Sequence, residues 1–237
     1  MSISPTTVLI TGSSRGLGLA LIHELLSHPP LEPLMIHACC RNPSSASQKV
    51  PLKQASSNAS IQWHALDVSD AFSIHSLASH MQQQHPQGID VLINNAGVNL
   101  DIEHGHSLDV STKTIETNFD GTVGMMTAFL PLMRKGSNGT SRIVNISSVG
   151  SKLSNIPSMD LRKRIRHAET MAQVKELRDA YLEAVRKGRE EEEGWPKGKA
   201  YSVSKALINA ATQVVAAEAA EKGDGVLVNC CCPGWLE

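Results

Sequence analysis

The segment Thr-Gly-Ser-Ser-Arg-Gly-Leu-Gly at residues 11–18 decides the fold. It follows the short apolar run Val8-Leu9-Ile10 and leads into a helical pattern from Leu17 to Leu26. Glycine lacks a Cβ, so backbone N–H groups here can approach a pyrophosphate closely, and the next helix directs its positive N-terminus at that anion. The spacing Gly-x-x-x-Gly-x-Gly differs from the GxGxxG dinucleotide fingerprint. We interpret the segment as a phosphate-binding loop, and a plain turn is the alternative for three glycines taken alone.

Short apolar runs alternate with longer helical patterns along the rest of the chain. The further runs are Leu34-Met35-Ile36, residues 61–66, Val91-Leu92-Ile93, residues 143–146 and Val226-Leu227-Val228. Apolar residues recur at helical spacing in residues 17–26, 71–84, 115–133 and 205–219. Buried-type strands separated by helices predict an α/β fold, a Rossmann-like doubly wound parallel sheet with helices on both faces.

Composition excludes several classes of function. The chain has 237 residues, of which 41% are hydrophobic and 19% charged, as in an ordinary globular protein. Its formal net charge is -1 and only 3% of residues are aromatic, which argues against nucleic-acid binding and against an anionic membrane as partner. No apolar stretch approaches the roughly 20 residues that span a bilayer, and the first residues do not resemble a signal peptide.

The five cysteines are Cys39, Cys40, Cys230, Cys231 and Cys232. Adjacent cysteines suit neither a disulfide framework nor a CxxC zinc site. We expect them to be reduced, mostly buried small hydrophobes, and the ten histidines form no ligand pair such as HExxH. The sequence therefore predicts a cytoplasmic protein without a metal.

Charges near the second strand bear on the choice of cofactor. Sites that select NAD place an acidic side chain after that strand, and residues 39–43 contain no acid. Arg41 lies in this stretch, and its rigid, charged guanidinium group can bind a 2′-phosphate. Arg15 in the glycine segment adds a second positive charge. Both could instead be ordinary surface arginines. The favoured interpretation is NADP(H).

Tyr201 and Lys205 stand four residues apart and share one face if the segment is helical. A tyrosine with an ordinary pKa near 10 is a poor acid–base catalyst at neutral pH. A neighbouring ammonium favours the phenolate and is expected to lower that pKa. YxxxK alone is common on solvated helices, so its meaning depends on the residues that accompany it.

Polar residues follow two of the predicted strands. Asn145-Ile146-Ser147-Ser148 ends one strand and Asn94-Asn95-Ala96-Gly97 ends another, at the sheet edge where open α/β sheets bind ligands. Asn118 lies within a helical pattern. Serine and asparagine at strand ends are also common turn formers.

Taken in order, these motifs resemble the short-chain dehydrogenases/reductases, and the resemblance covers essentially the whole chain. The matching positions are residues 11–18, Asp67-Val68, residues 94–97, Asn118, Ser148, Tyr201 and Lys205. Ser148 fits the family position better than Ser147.

The resemblance implies catalytic roles for four residues. Tyr201 would donate a proton to the carbonyl oxygen during reduction, and Lys205 would lower the Tyr201 pKa and hold the nicotinamide ribose. Ser148 would hydrogen-bond the substrate oxygen. Asn118 would hold a water that links Lys205 to solvent.

The resemblance also implies a set of cofactor-binding residues, with Asp67 near the adenine and residues 94–97 lining the cofactor cleft. Besides Tyr201 and Lys205, the expected set is Gly12, Ser14, Arg15, Gly16, Leu17, Gly18, Arg41, Asp67, Val68, Asn95, Ala96, Gly97, Pro233 and Gly234.

A charged segment, residues 152–199, separates Ser148 from Tyr201 by more than the family's usual short gap. Two stretches in it, beginning at Met159 and at Val174, have the pattern of amphipathic helices. The run Glu190 to Glu193 is expected to be solvated. With Arg41 and the sequence from Cys231 to Trp235, this insertion resembles the monomeric NADPH-dependent carbonyl reductases, in which such helices cover a surface that other members use to oligomerise.

The resemblance implies one NADP-binding domain over residues 1–237, a monomer, and a small-molecule carbonyl compound as substrate. Family members continue beyond the position of Glu237 with a substrate-binding loop, helices and a last strand, which we expect to be missing here. Two functions follow. The first is NADPH-dependent reduction of a ketone, aldehyde or quinone, and the alternative is a truncated NADP(H)-binding protein with little or no activity.

Overall fold

A computed structural model describes residues 5–28, 33–48, 58–135, 141–223 and 225–234. Its six strands are β1 (Thr6–Thr11), β2 (Leu34–Cys40), β3 (Ala59–Ala65), β4 (Val91–Asn94), β5 (Arg142–Ile146) and β6 (Leu227–Cys231). They form one sheet in the order β3-β2-β1-β4-β5-β6, with β1 parallel to β2 and β4, and β2 parallel to β3. This is the doubly wound order of dinucleotide-binding folds, so the predicted Rossmann-like sheet is confirmed.

The described residues contain nine α-helices. They are α1 (Gly16–Ser27), α2 (Pro43–Ser47), α3 (Ala71–Gln84), α4 (Leu100–His104), α5 (Leu108–Ile115), α6 (Gly121–Phe129), α7 (Met159–Arg166), α8 (Met171–Lys187) and α9 (Ala200–Lys222). None of the described helices is long and apolar enough to cross a membrane.

One predicted helix differs from the structure. The sequence pattern predicts a helix over residues 115–133, whereas the observed helix α5 begins at Leu108, where Ser107 caps the Val110 N–H. A π-helical turn, Glu116–Asp120, then separates α5 from α6. The single predicted periodicity cannot hold across this turn, because a π turn adds a residue to the helical repeat.

The described chain clusters into two compact units. The first comprises residues 1–96, 124–144 and 223–227, and the second comprises residues 97–123, 145–222 and 228–237. The prediction of one domain over residues 1–237 stays a prediction, as does that of the missing last strand.

The core of the first unit lies between the sheet and α1. Alternate residues of the central strands pack against Ile22 and Leu26 of that helix, and all are at most 5% exposed: Val8, Ile10, Leu34, Ile36 and Ala38. The central strands β1 and β2 are buried on both faces, as expected where helices cover both sides of a parallel sheet.

The second unit is mostly helical, and α5, α7 and α8 each pack against α9. The two amphipathic helices predicted in the insertion are observed as α7 and α8. One stripe of each is buried: Leu161 and Ile165 on α7, and Val174, Leu177, Tyr181, Ala184 and Val185 on α8. Thr170 and Gln173 form a capping box that fixes the start of α8.

Two expectations about burial are wrong in part. Glu190 is only 1% exposed, because its carboxylate pairs with His106 Nε2 at 2.7 Å, whereas the next three glutamates are exposed as predicted. Among the cysteines, Cys39 and Cys40 are buried in β2, but Cys231 and Cys232 are exposed. The second group lies at the end of β6, where solvent reaches alternate residues.

Candidate active site

The glycine segment of the first unit begins where β1 ends. Gly12 has a φ of +69° and Gly16 a φ of +56°, a region that favours glycine. A Cβ on Gly12 would lie 2.8 Å from the Cα of Ala96, and one on Gly18 would overlap the carbonyl oxygen of Gly12. Close packing of loop and helix therefore requires glycine at positions 12 and 18, independently of any ligand.

Thr11 connects this loop to the end of β4. Its Oγ1 accepts hydrogen bonds from the backbone N–H groups of Asn95 and Ala96, each at 3.0 Å. The Asn95 Nδ2 donates in return to the carbonyls of Thr11 and Gly12, at 2.9 and 3.2 Å. Asn95 and Ala96, both predicted cofactor residues, thus brace the glycine loop directly.

The start of α1 has the properties of an anion site. Its N-cap residue Arg15 makes no side-chain capping hydrogen bond, and its first turn holds no acid. A Cβ placed on Gly16 would meet no atom of the described residues within 4 Å, so they leave space beside the loop. The N–H groups of the first turn of a helix need acceptors, and a pyrophosphate supplies them. The residues present therefore fit the phosphates of a dinucleotide.

Arg41 and Asp67 lie near one another after β2 and β3. Asp67 Oδ1 accepts hydrogen bonds from the hydroxyl and the N–H of Ser69, at 2.6 and 3.0 Å. The Ser69 hydroxyl bond chiefly lowers the pKa of Asp67, and the charge of Arg41 contributes, so this carboxyl is ionised at neutral pH. Arg41 and Arg15 are both exposed.

Among the other predicted cofactor residues of this unit, Val68 is buried, whereas Ser14 and Leu17 are partly exposed on the loop and the first turn of α1.

In the second unit, Tyr201 and Lys205 lie on α9 as predicted. Lys205 Nζ lies 5.7 Å from the centre of the Tyr201 ring and donates to the Ile146 carbonyl at 2.6 Å. Lys205 is only 4% exposed, and burial lowers its pKa to about 8. A buried ammonium is thus held beside a partly exposed phenol, an arrangement suited to proton transfer.

The serine pair after β5 divides into two environments. Ser147 is 5% exposed, and its hydroxyl donates to Asn209 Oδ1 at 2.6 Å. Ser148 is partly exposed, and its Oγ accepts from the Gly150 N–H at 3.1 Å. A Cβ on Gly150 would lie within 3.7 Å of both Ser148 Oγ and Tyr201 Cδ1. Ser148 is therefore the serine that lies near Tyr201, and among the described residues its hydroxyl has no acceptor, so its hydrogen is available to donate.

Asn118 is fully buried in the π-helical turn. Its Oδ1 accepts from the Val98 N–H, and its Nδ2 donates to the Val98 carbonyl, both at 2.8 Å. Nδ2 also donates to Ser204 Oγ at 3.0 Å. Both amide hydrogens are thus used, which restricts any water on this side chain to Oδ1.

Two further predicted groups lie around these residues. A Cβ on Gly97 would be 3.2 Å from Asn118 Oδ1 and 3.6 Å from Lys205 Nζ, so this glycine closely borders the lysine. The Ser147 N–H donates to the Cys231 carbonyl at 2.7 Å, which brings the end of β6 beside the serine pair. Pro233 and Gly234 follow there and are exposed, whereas Trp235 and the residues after it lie outside the described residues.

Comparison with known proteins shows the family to which the chain belongs. The short chain dehydrogenase family model matches residues 6–159. NADPH carbonyl reductase 1 from Homo sapiens is 31% identical over 242 residues, covering 100% of this chain and 83% of that protein. NADPH carbonyl reductase 3 from Rattus norvegicus is also 31% identical, covering 100% and 84%.

The chain is a member of the short-chain dehydrogenase/reductase family.

Solved structures of reductases share the fold of this short-chain dehydrogenase. Salutaridine reductase from Papaver somniferum has a TM-score of 0.80 and 24% identity, covering 97% of this chain and 86% of that one. The NADPH-bound carbonyl reductase from chicken fatty liver has a TM-score of 0.67 and 26% identity, covering 98% and 80%.

Three residues near the site of this short-chain dehydrogenase were not predicted from the sequence. Asp101 Oδ2 accepts the backbone N–H of Tyr201 at 2.8 Å, and His106 pairs with the buried Glu190. These contacts join distant parts of the chain, and no local spacing signals them.

Proposed function

We propose that this chain reduces the carbonyl group of a small ketone, aldehyde or quinone to the alcohol, with NADPH as hydride donor and Tyr201 as proton donor. The observation that carries the proposal is the buried Lys205 ammonium, held 5.7 Å from the Tyr201 ring by its bond to the Ile146 carbonyl. The two relatives named NADPH carbonyl reductase support the cofactor and the class of substrate.

NADP(H) is the cofactor, and when bound it supplies the hydride. The open space at Gly16 and the uncapped start of α1 suit its pyrophosphate. Arg41, with Arg15, provides the positive charge that a 2′-phosphate requires. In the second unit, Tyr201 and Lys205 are the groups proposed to hold the nicotinamide ribose.

The catalytic roles follow from the donors available. Tyr201 donates its phenolic proton to the oxygen that gains charge, and Lys205 stabilises the phenolate left behind. Ser148 orients the carbonyl oxygen with its free hydroxyl hydrogen. Asn118 holds residue 98 and Ser204 in place and offers its Oδ1 to the water that connects Lys205 with solvent.

The state and location of the protein belong to the same proposal. The helices α7 and α8 bury their apolar stripes within the second unit, which supports a monomer whose insertion occupies a surface used elsewhere for association. We propose a cytoplasmic enzyme without a nucleic-acid or membrane partner.

The test pairs turnover with cofactor binding. NADPH oxidation is followed spectroscopically with menadione and with isatin, and binding of NADPH and NADH by cofactor fluorescence. The proposal expects saturable oxidation of NADPH in the presence of carbonyl compound and tighter binding of NADPH. Binding without turnover of a panel of ketones, aldehydes and quinones would instead identify an NADP(H)-binding protein.

A further inference from the structure

The carboxylate of Asp101 caps the helix that carries Tyr201 and Lys205. Asp101 is the second residue of α4 and Tyr201 the second residue of α9, and Asp101 Oδ2 accepts the Tyr201 N–H at 2.8 Å. The first N–H groups of a helix have no acceptor within the helix, and a carboxylate there gains from the helix dipole. The first turn of α9 has no acidic residue of its own. The capping charge therefore comes from a different part of the chain.

Residues 97–101 are held against α9 by several contacts, some of them through Asn118. Gly97 borders Lys205, because a Cβ added to this glycine would lie 3.6 Å from Lys205 Nζ. Val98 is held through both backbone groups by Asn118, which also donates to Ser204 Oγ. Ser204 Oγ in turn donates to the Tyr201 carbonyl at 2.7 Å. Residues 97–101 thus hold the first turns of α9 from one side, and Asp101 is their contact with Tyr201 itself.

The charge of Asp101 also acts on Tyr181, a buried phenol of the insertion. Among the described residues, Asp101 Oδ1, the Tyr181 hydroxyl and Ser111 Oγ are buried without a hydrogen-bond partner of good geometry. Burial chiefly raises the pKa of Tyr181, the nearby Ser111 hydroxyl lowers it in part, and the charges of Asp101 and Glu190 raise it, so the phenol stays protonated and able to donate. Buried groups of this kind are usually bridged by internal water. The insertion thus contributes a buried, protonated phenol on which the charge of Asp101 acts.

We propose that Asp101 is a positioning residue for Tyr201, fixing the backbone from which the proton-donating ring extends. The inference rests on the proposed function, in which Tyr201 donates the proton. Misplacing a catalytic group by about 1 Å can lower the rate on the order of 10²-fold. A capping contact at the residue that carries the reactive hydroxyl therefore has a consequence for turnover that an ordinary cap lacks.

Kinetics of four variants separate this role from general stability. Asp101→Ala and Asp101→Ser remove the contact, since a serine hydroxyl is too short to reach the Tyr201 N–H, whereas Asp101→Asn keeps an acceptor oxygen. Glu103→Ala is the matched control, an exposed carboxylate on the same helix. We expect kcat at saturating NADPH to fall by roughly 10- to 100-fold in the first two. Asp101→Asn should recover most of it, and the KM for NADPH should change little.

A second readout does not require turnover. The chain contains only two tyrosines, Tyr181 and Tyr201, so tyrosine labelled with 15N and with 13C at Cζ gives two amide and two ring signals, which Tyr181→Phe assigns. Asp101→Ser should shift the Tyr201 amide proton upfield, because a charge-assisted bond is lost, and should also move its ring signal. Asp101→Asn should shift both less, and Glu103→Ala should leave them unchanged.

The outcomes distinguish the two proposals. A wild-type protein that binds NADPH but reduces no carbonyl compound rules out the proposed function. The Tyr201 ring signal then shows, without turnover, whether Asp101 positions Tyr201. An unchanged amide or ring signal in Asp101→Ser overturns the inference. A lower Tm with an unchanged kcat in Asp101→Ala or Asp101→Ser also overturns the inference, since Asp101 would then have only a structural role. If Asp101→Ala does not fold, the contrast between Asp101→Ser and Asp101→Asn remains decisive.

Discussion

The Lys205 ammonium donates to the Ile146 carbonyl at 2.6 Å, and only 4% of the residue is exposed. Burial lowers its pKa to about 8, from an ordinary 10.5. Between these values the unfolded chain binds more protons than the folded chain, so the free energy of unfolding rises with pH. The expected gain is about 3 kcal/mol from pH 8 to 10.5.

This gain is measured by urea denaturation across that pH range, with Lys205→Met as comparison. The methionine variant has no titrating group at position 205, and its other titrating groups are those of the wild type. The difference in unfolding free energy between the two proteins should therefore change with pH. A difference that stays constant from pH 8 to 10.5 would show that Lys205 keeps an ordinary pKa in the folded protein.

Tyr201→Phe removes only the phenolic hydroxyl and leaves the ring. Turnover of menadione should fall by about 10²–10⁴-fold, as is typical of a lost general acid. NADPH should still bind, because the glycine loop and Arg41 are unchanged, and fluorescence titration measures that binding. Near-normal carbonyl reduction by this variant would mean that another group supplies the proton.

The serine pair offers a matched test of which hydroxyl meets the substrate. Ser148→Ala should lower kcat with little effect on NADPH affinity, because the Ser148 hydroxyl is free to donate. Ser147→Ala should lower Tm, since it leaves Asn209 without its 2.6 Å donor, but should leave kcat near the wild-type value. The reverse pattern would assign the substrate contact to Ser147.

Local patterns predicted most of the fold. The central strands β1 and β2 were recognisable because both their faces are buried. Helix α3 has the predicted bounds, and the Asp70 side chain caps its first turn. The π-helical turn at residues 116–120 was not predicted, because the short apolar pattern on either side of it does not show the one extra residue that the turn adds to the helical repeat. The predicted catalytic residues of the second unit lie together on α9, the π-helical turn and the end of β5. Their roles stay predictions.

The burial of Glu190 and the contact of Asp101 with Tyr201 were missed for the same physical reason. Glu190 stands in a run of four glutamates, and its sequence neighbours suggest solvent, but its environment is set by His106 far away in the chain. The Asp101 contact with Tyr201 is long-range in the same sense. Charge and spacing predict which side chains have useful chemistry, whereas burial and partners depend on packing between distant segments.

Arg41→Asp tests the choice of cofactor. If Arg41 meets the 2′-phosphate, its reversal should weaken NADPH binding by roughly 1.5–3 kcal/mol, the value of a charge-assisted hydrogen bond. NADH has no 2′-phosphate, so its dissociation constant is the internal control and should change little. Equal dissociation constants for the two cofactors in the wild type would refute the assignment.

His37 should make the protein sensitive to acid. It is fully buried in β2, with Nδ1 2.8 Å from His64 Nε2 and Nε2 2.9 Å from His85 Nε2. One neutral ring can donate through one nitrogen and accept through the other, so the chain of three rings is satisfied without a charge. Burial chiefly, and then the charges of His64, His85 and His80, lowers the pKa of His37 to about 3.

The sign of the effect follows from proton binding. Between pH 6.5 and 3 the unfolded chain binds a proton at this position that the folded chain excludes, so stability is lost as the pH falls through that range. Replacing the ring by an apolar side chain, His37→Leu, should make the unfolding free energy less dependent on pH. The loss of stability on acidification should be smaller than in the wild type by a few kcal/mol. Part of the slope should remain, because the pKa values of His64 and His85 are also lowered by burial. The exposed His75 provides the control, and His75→Gln should keep the wild-type slope in urea denaturation from pH 7 to 4. An equal slope in His37→Leu and the wild type would show that His37 accepts a proton in the folded protein, and the three-ring chain would then have to open to admit it.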